Sequence, residues 1–232
     1  MTGAELMRGR PAPLRLCIFD CDGVIVDSEP IANRITARAL AQVGWPVTAE
    51  EAQERFLGMT LSDMVPVIEA TLGRKLPAGW KDALTAELVR ALGEEAVAVP
   101  GAIEALHATT KLGLPWRLAS NSSHEEMAAK FGRLGISGLV AGRVHSHRDV
   151  AHGKPAPDLF LAAAAAQRVR PEECVVIEDS LPGARAAAAA GMDCLGFARH
   201  TNPDALRALG AVPFRSMREL PELFILAPRA DG

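Results

Sequence analysis

Four short apolar runs recur along the chain, at 14–19 (LRLCIF), 114–119 (LPWRLA), 174–177 (CVVI) and 194–197 (CLGF), with a weaker fifth at 139–144 (LVAGRV). Stretches of helical spacing separate them. Continuously apolar strands are buried on both faces, and strands that alternate with helices are joined by crossovers. The pattern therefore implies a parallel sheet covered on both sides. The fold class expected is α/β, a doubly wound, Rossmann-like core. A chain of 232 residues holds one such core and a modest insertion.

The insertion is visible in the pattern. From 29 to 98 the sequence carries helical spacing and no strand pattern. Ile31, Ile35, Ala39 and Val43 fall on one helical face, and Leu84, Leu88 and Leu92 on another ahead of Gly93. Pro66 is compatible with a helix whose N-cap is Ser62, because the first four helical N–H groups have no partner to lose. The expected organisation is a core made of 1–28 and 99–232 and an all-α domain of 29–98. Within the core, Ser123 and Glu126 form a capping box ahead of a helix at 124–134, and Ser216 with Glu219 repeats the device. Asn202 and Pro203 open a short helix that Gly210 closes, and Pro182 and Gly191 bracket an alanine-rich one.

Composition removes several function classes. A formal net charge of −3 gives no general attraction to nucleic acid or to an anionic membrane, so a bound anion needs a local site. No apolar run approaches the ~20 residues of a membrane-spanning helix. The N-terminus has basic residues but no apolar segment of a secretory signal. Cys17, Cys21, Cys174 and Cys194 read as buried, reduced thiols without zinc-site spacing, and the cytoplasm is the expected compartment.

Open sheets of this kind bind ligands beyond the carboxyl ends of their strands. Asp20 and Asp22 follow the first run, Ser120 and Asn121 the second, and Glu178 and Asp179 the run at 174–177, which Lys154 precedes. Residues far apart in sequence thus converge on one crevice. Carboxylates gathered there repel one another and need a divalent cation, and with oxygen-only ligands that cation is Mg2+. A lysine and a hydroxyl near a helix N-terminus suit a phosphoryl group.

These residues also carry a family resemblance. Phe19-Asp-Cys-Asp-Gly-Val-Ile-Val-Asp-Ser28 resembles the first motif of the haloacid dehalogenase-like phosphatases, and Leu118-Ala-Ser-Asn121 the second. Lys154-Pro-Ala-Pro-Asp158 resembles the third and Ile177-Glu-Asp-Ser-Leu-Pro-Gly-Ala184 the fourth. The resemblance runs from about residue 14 to about residue 225 and is weakest in the insertion. It implies a Mg2+-dependent phosphatase in which Asp20 attacks phosphorus and forms an aspartyl-phosphate. Asp22 would protonate the leaving oxygen and then take a proton from water, with its backbone carbonyl on the metal. Ser120, the amide of Asn121 and Lys154 would hold the phosphoryl oxygens. Asp179 would complete the metal site, with Glu178 a ligand either directly or through water. Lys154 is also placed to keep Asp20 ionised.

Residue 22 separates chemistries within that superfamily. Dehalogenase-like and phosphonatase-like members lack an aspartate two residues after the nucleophile, so Asp22 points to phosphate esters. The insertion resembles the helical cap of the phosphoglycolate phosphatase and β-phosphoglucomutase branch, which closes over the site. Arg55-Phe-Leu-Gly-Met-Thr60 resembles its specificity loop, making Arg55, Gly58 and Thr60 the candidate substrate contacts. Leu57, Leu61 and Ala32 stand where mutase-like members carry basic residues and a histidine, which favours hydrolysis of one small phosphorylated metabolite. The alternatives are a sugar-phosphate mutase and, from another class, a catalytically silent binding module. His145, His147 and His152 read as solvated loop histidines and not as a zinc site. Asp27 reads as a brace for the turn after the first strand. Substrate identity and oligomeric state are not encoded in any of these motifs.

Overall fold

The computed structural model of the protein describes residues 1–56 and 59–228. A short helix α1 (Gly3–Arg8) precedes β1 (Leu16–Phe19) and the two-residue strand β2 (Val26–Asp27). Four helices follow: α2 (Glu29–Gln42), α3 (Ala49–Phe56), α4 (Leu61–Leu72) and α5 (Trp80–Glu95). The chain returns through β3 (Val97–Ala98), α6 (Ala102–Lys111), β4 (Trp116–Ser120), α7 (His124–Arg133), α8 (Ser137–Val140) and β5 (Val144–Ser146). It ends with α9 (Asp158–Ala166), β6 (Cys174–Glu178), α10 (Leu181–Ala189), β7 (Asp193–Phe197), α11 (Pro203–Ala208), β8 (Val212–Phe214) and α12 (Leu220–Leu226).

Six strands form one parallel sheet in the order β5-β4-β1-β6-β7-β8. The expected α/β doubly wound architecture is present, and the strand order reverses direction at β1. Burial follows the period of two that a strand imposes. Cys17, Phe19, Val175, Ile177 and Leu195 enter one apolar cluster, with residues of α6, α7 and α12. Leu16, Ile18, Cys174, Val176 and Cys194 enter the other, with the alanine-rich faces of α9 and α10. Small alanine side chains let those two helices lie close against the sheet. The four cysteines are buried as thiols.

Helices α2 to α5 carry a third, smaller cluster of Leu40, Phe56, Met64, Ile68 and two alanines. Helices α2 and α5 also reach back into the first cluster through Ile31, Ile35, Leu84, Leu88 and Leu92. The two passages between sheet and helices pair with each other, Val26 with Ala98 and Asp27 with Val97, as an antiparallel ribbon. That ribbon falls partly inside the stretch expected to hold no strand; two residues are too short to leave a periodic signal.

Other departures have local causes. The run at 139–144 is not a strand: its first part closes α8, Gly142 turns at φ 69°, and β5 begins only at Val144. β8 contains Pro213, which is tolerated because β8 is the edge of the sheet. The N-cap of α4 is Thr60, not Ser62: Thr60 and Asp63 form a reciprocal capping box. Pro66 therefore lies inside the helix and not in its first turn. Ser123 does cap α7 with Glu126, as expected. No helix among the described residues is long and apolar enough to cross a membrane.

Candidate active site

Register places the crevice residues. Phe19 is level with Leu118 of β4 and Ile177 of β6, so Asp20 emerges between the ends of these two strands. Its backbone N–H donates to the Ile177 carbonyl at 2.9 Å, which holds the residue at the sheet edge. The Asp20 carboxylate is buried and accepts from Lys154 Nζ at 2.6 Å. The same ammonium donates to Glu178 Oε1 at 2.7 Å and lies 4.7 Å from the centre of the Phe160 ring.

Glu178 is the most enclosed acid of the group. Its Oε2 accepts from the backbone N–H groups of Asp179 and Ser180 and from the Ser180 hydroxyl, at 2.8–2.9 Å. The carboxylate presses on the first turn of α10, where any Cβ at Gly183 would stand 1.8 Å from Glu178 Oε1. Gly23 is required in the same way: its φ is 73°, and a Cβ there would meet Asp179 Oδ2 at 1.9 Å. The two glycines let the acidic ends of β1 and β6 approach each other.

Asp20, Glu178 and Asp179 each offer one oxygen within 4.8 Å of the others. Among the described residues one lysine faces this trio, so negative charge is in excess. Burial, with the charges of Glu178 and Asp22, pushes the Asp20 carboxyl up to about 7 despite Lys154, which pulls it down. Burial and the Glu178 and Asp20 charges likewise push Asp179 well above the carboxylate range. Lys154 acts in the direction expected for keeping Asp20 ionised, but it does not outweigh burial. A buried, oxygen-only donor set with surplus negative charge fits a hard divalent cation.

Asp22, on the same turn, has a different setting. Lys130 of α7 donates to its Oδ1 at 2.5 Å, together with the Ser28 hydroxyl. Ser122 and Ser120 donate to Oδ2 at 2.8 and 3.1 Å. Lys130 also donates to Ser122 Oγ at 2.8 Å. Burial works to raise the Asp22 carboxyl, but the charge and hydrogen bond of Lys130, with the Ser28 and Ser122 hydroxyls, prevail and lower it to about 2.

Lys130 lies outside all the motifs of the sequence. Its signal was present: it lies between Met127 and Phe131 on the buried face of α7, where a lysine requires a partner. Side chains on a helix tilt toward its N-terminus, which directs this one back toward Ser122 and the sheet edge.

Ser120 closes β4 and is buried, its hydroxyl shared between Asp22 and the Ser122 N–H. The Asn121 side chain clamps the Lys154 main chain: Nδ2 donates to the Lys154 carbonyl at 3.0 Å and Oδ1 accepts from the Lys154 N–H at 2.9 Å. Asp27 accepts from Arg199 Nη2 at 2.8 Å.

A cavity of about 340 Å³ lies over these groups, between the sheet edge and helices α2 to α5. Thr60 lines it, although its hydroxyl is engaged as the cap of α4. Arg55 is exposed and lies over the Trp45 ring at 5.4 Å, outside the cavity lining among the described residues. Gly58 and Leu57 fall outside the described residues. The histidines differ from one another: His145 is in β5 and half-buried, His147 lines the cavity, and His152 is exposed beside Asp158. The reading of all three as solvated loop residues holds for His152 only.

Comparison with known proteins follows the same lines. Residues 14–191 match the family described as haloacid dehalogenase-like hydrolase. The chain is 30% identical over 207 residues to 6-phosphogluconate phosphatase of Escherichia coli (strain K12), covering 89% of this chain and 92% of that protein. It is 34% identical over 182 residues to hexitol phosphatase A of the same organism, covering 75% and 78%. Among solved structures, a HAD family hydrolase from Deinococcus radiodurans R1, with bound phosphate and sodium, superposes with a TM-score of 0.75 at 30% identity, covering 94% of this chain and 100% of that one.

Proposed function

The chain belongs to the haloacid dehalogenase-like hydrolase family, and from that premise we propose that it is a Mg2+-dependent phosphatase acting on a small phosphomonoester through Asp20. The observation that carries the reading is the Asp20 carboxylate at the end of β1, bonded to Lys154 and facing the cavity beside Glu178 and Asp179.

Asp20 Oδ attacks phosphorus, the ester P–O bond breaks, and an aspartyl-phosphate forms; the leaving oxygen takes its proton from Asp22. Water then gives a proton to Asp22 and attacks phosphorus, which releases phosphate and restores Asp20. The ionised state of Asp22 at neutral pH is the one the second step requires, so as an acid it first takes up a proton from the substrate monoanion or from solvent. Lys154 and Ser120 stabilise the phosphoryl oxygens. Asp20, Asp179 and the Asp22 backbone carbonyl would hold Mg2+, with Glu178 bound directly or through water. The ion supplies countercharge to the crowded carboxylates and the phosphoryl group.

We read α2 to α5 as a cap domain, residues 29–98 between core segments 1–28 and 99–232. The cavity lining contributed by these helices supports that role: Asn33, Thr36, Ser62, Lys81 and Thr85 offer polar groups suited to a hydroxylated metabolite such as a sugar or sugar-acid phosphate. Ala32 and Leu61, which line the same cavity, stand where the resemblance places a histidine and a basic residue in mutase-like members, and this favours hydrolysis.

Asp20→Asn tests the assignment. Mg2+-dependent release of 4-nitrophenol from 4-nitrophenyl phosphate is expected to fall roughly 10⁴-fold or more, the scale of losing a nucleophile. Folding should persist, since the change removes one of three crowded charges. Turnover equal to that of the unmodified protein would refute the role of Asp20.

A further inference from the structure

Lys130 is one of the largest fully buried side chains in the protein, and its ammonium donates to Asp22 Oδ1 and Ser122 Oγ. Ser122 in turn donates to Asp22 Oδ2, so lysine, serine and carboxylate close a ring of three contacts. The Ser28 and Ser120 hydroxyls complete the setting, one on each carboxylate oxygen. The Asp22 side chain nevertheless remains 30% exposed, and it lines the cavity, whereas the Lys130 side chain is 2% exposed and does not. The lysine therefore touches the acid from behind the cavity wall.

We propose that Lys130 is a positioning residue for the reaction. It acts through Asp22, fixing the carboxylate at the cavity wall so that proton exchange with the leaving and attacking oxygens occurs from one place. The inference rests on the reading of Asp22 as the acid–base group. A carboxylate gripped by hydroxyls alone can rotate among them, because each hydroxyl hydrogen turns to follow its acceptor. A buried ammonium has a fixed charge and no water to replace its partner, so leaving Asp22 would strand it. Lys130 is anchored by the packing of α7, where Met127 and Phe131 enter the main apolar cluster on either side of it.

The test is a double-mutant cycle read across leaving groups. Lys130→Met, Asp22→Asn and the double variant are compared on 2,4-dinitrophenyl, 4-nitrophenyl and phenyl phosphate by kcat/KM, with Mg2+ present. Expulsion of dinitrophenolate needs no acid, whereas phenolate benefits from one. Lys130→Met is expected to lose about tenfold or more with phenyl phosphate, a part of the roughly 10²–10⁴-fold that general acid catalysis supplies, and less than about threefold with the dinitrophenyl ester. In the Asp22→Asn background, adding Lys130→Met should change neither value by more than about twofold. The double variant buries no unpaired charge, so this arm reads out even if Lys130→Met alone folds poorly.

Equal loss on all three esters, no loss with phenyl phosphate, or the same loss in the Asp22→Asn background would each overturn the proposal and reduce Lys130 to a structural residue. If Asp22→Asn itself falls equally on all esters, Asp22 is not the acid, and both readings fall together. Selectivity in Asp22→Asn without selectivity in Lys130→Met overturns the positioning role alone.

Discussion

Lys154 and Lys130 are both buried, and each is bonded to an aspartate of the turn that follows β1. They differ in what else they face. Lys154 stands against Asp20 and Glu178, with Asp179 adjoining, while Lys130 stands against Asp22 and the serine hydroxyls around it. The first group carries surplus negative charge and the second is balanced. The consequence is visible in the two aspartates, one raised to about 7 and the other lowered to about 2 although only one residue separates them. Burial raises both; the local charge count decides the sign of the outcome. An unbalanced site calls for a cation, and a balanced one holds its carboxylate without one.

The largest effect expected from breaking this contrast is that of Lys154→Met. It leaves three buried carboxylates without their ammonium, a change on the scale of about 3–5 kcal/mol for breaking a buried pair. Urea unfolding in EDTA should show the loss, and Mg2+ should restore part of it. A variant as stable as the unmodified protein in EDTA would mean that the acidic trio carries no surplus charge.

The response to Mg2+ should itself depend on pH. Asp20 is raised from 3.8 to about 7, so in metal-free protein its favourable contribution is full below 3.8 and is lost as pH rises through about 7. Asp22 has the opposite sign: lowered to about 2, it contributes fully above 3.8 and loses that contribution as pH falls through about 2. A cation at the acidic trio competes with the proton on Asp20. The gain in Tm on adding Mg2+ should be larger at pH 8 than at pH 6, with apparent affinity falling up to about tenfold per pH unit below 7 for each proton displaced, from Asp20 and from Asp179, which is raised in the same direction. A Tm increment that is flat from pH 6 to pH 8 contradicts this account.

The smallest effect belongs to the balanced side. Ser122→Ala removes one hydroxyl shared by Lys130 and Asp22 but leaves the ion pair. It should cost about 1–2 kcal/mol, the range for one buried hydrogen-bonding group, and leave the Mg2+ response of Tm unchanged. A loss as large as that of Lys154→Met would show that the hydroxyls, and not the lysine, hold Asp22.

Much of this was legible along the chain, for identifiable reasons. The strands β1, β6 and β7 appear as apolar runs because a sheet covered on both faces leaves few polar positions within them, and in the β4 run only Arg117 interrupts the pattern. Asp20, Ser120 and Glu178 could be assigned to one crevice because a residue at the end of a parallel strand has its place set by the strand. At the start of α4 the residue types themselves favour Thr60, which has an acid three residues on, over Ser62, which has Val65 there and cannot form a reciprocal cap. The motif assigns a role to the backbone amide of Asn121, and only the fold shows its side chain clamping Lys154, which lies 33 residues away. The ribbon of β2 with β3 has no pattern of its own, since each strand is defined only by the other.

The sheet, its carboxyl edge and the acids and lysine gathered there are written in the order of residues, because local periodicity and strand ends are properties of neighbouring residues. The balance of charge at that edge arises only in the folded chain. Lys130 lies 108 residues from Asp22, and no spacing rule connects the two. Electrostatic interaction depends on distance and burial, and both are set by how α7 packs against the sheet. Two aspartates alike in sequence context thus acquire opposite properties, one poised for a cation and the other held by a lysine.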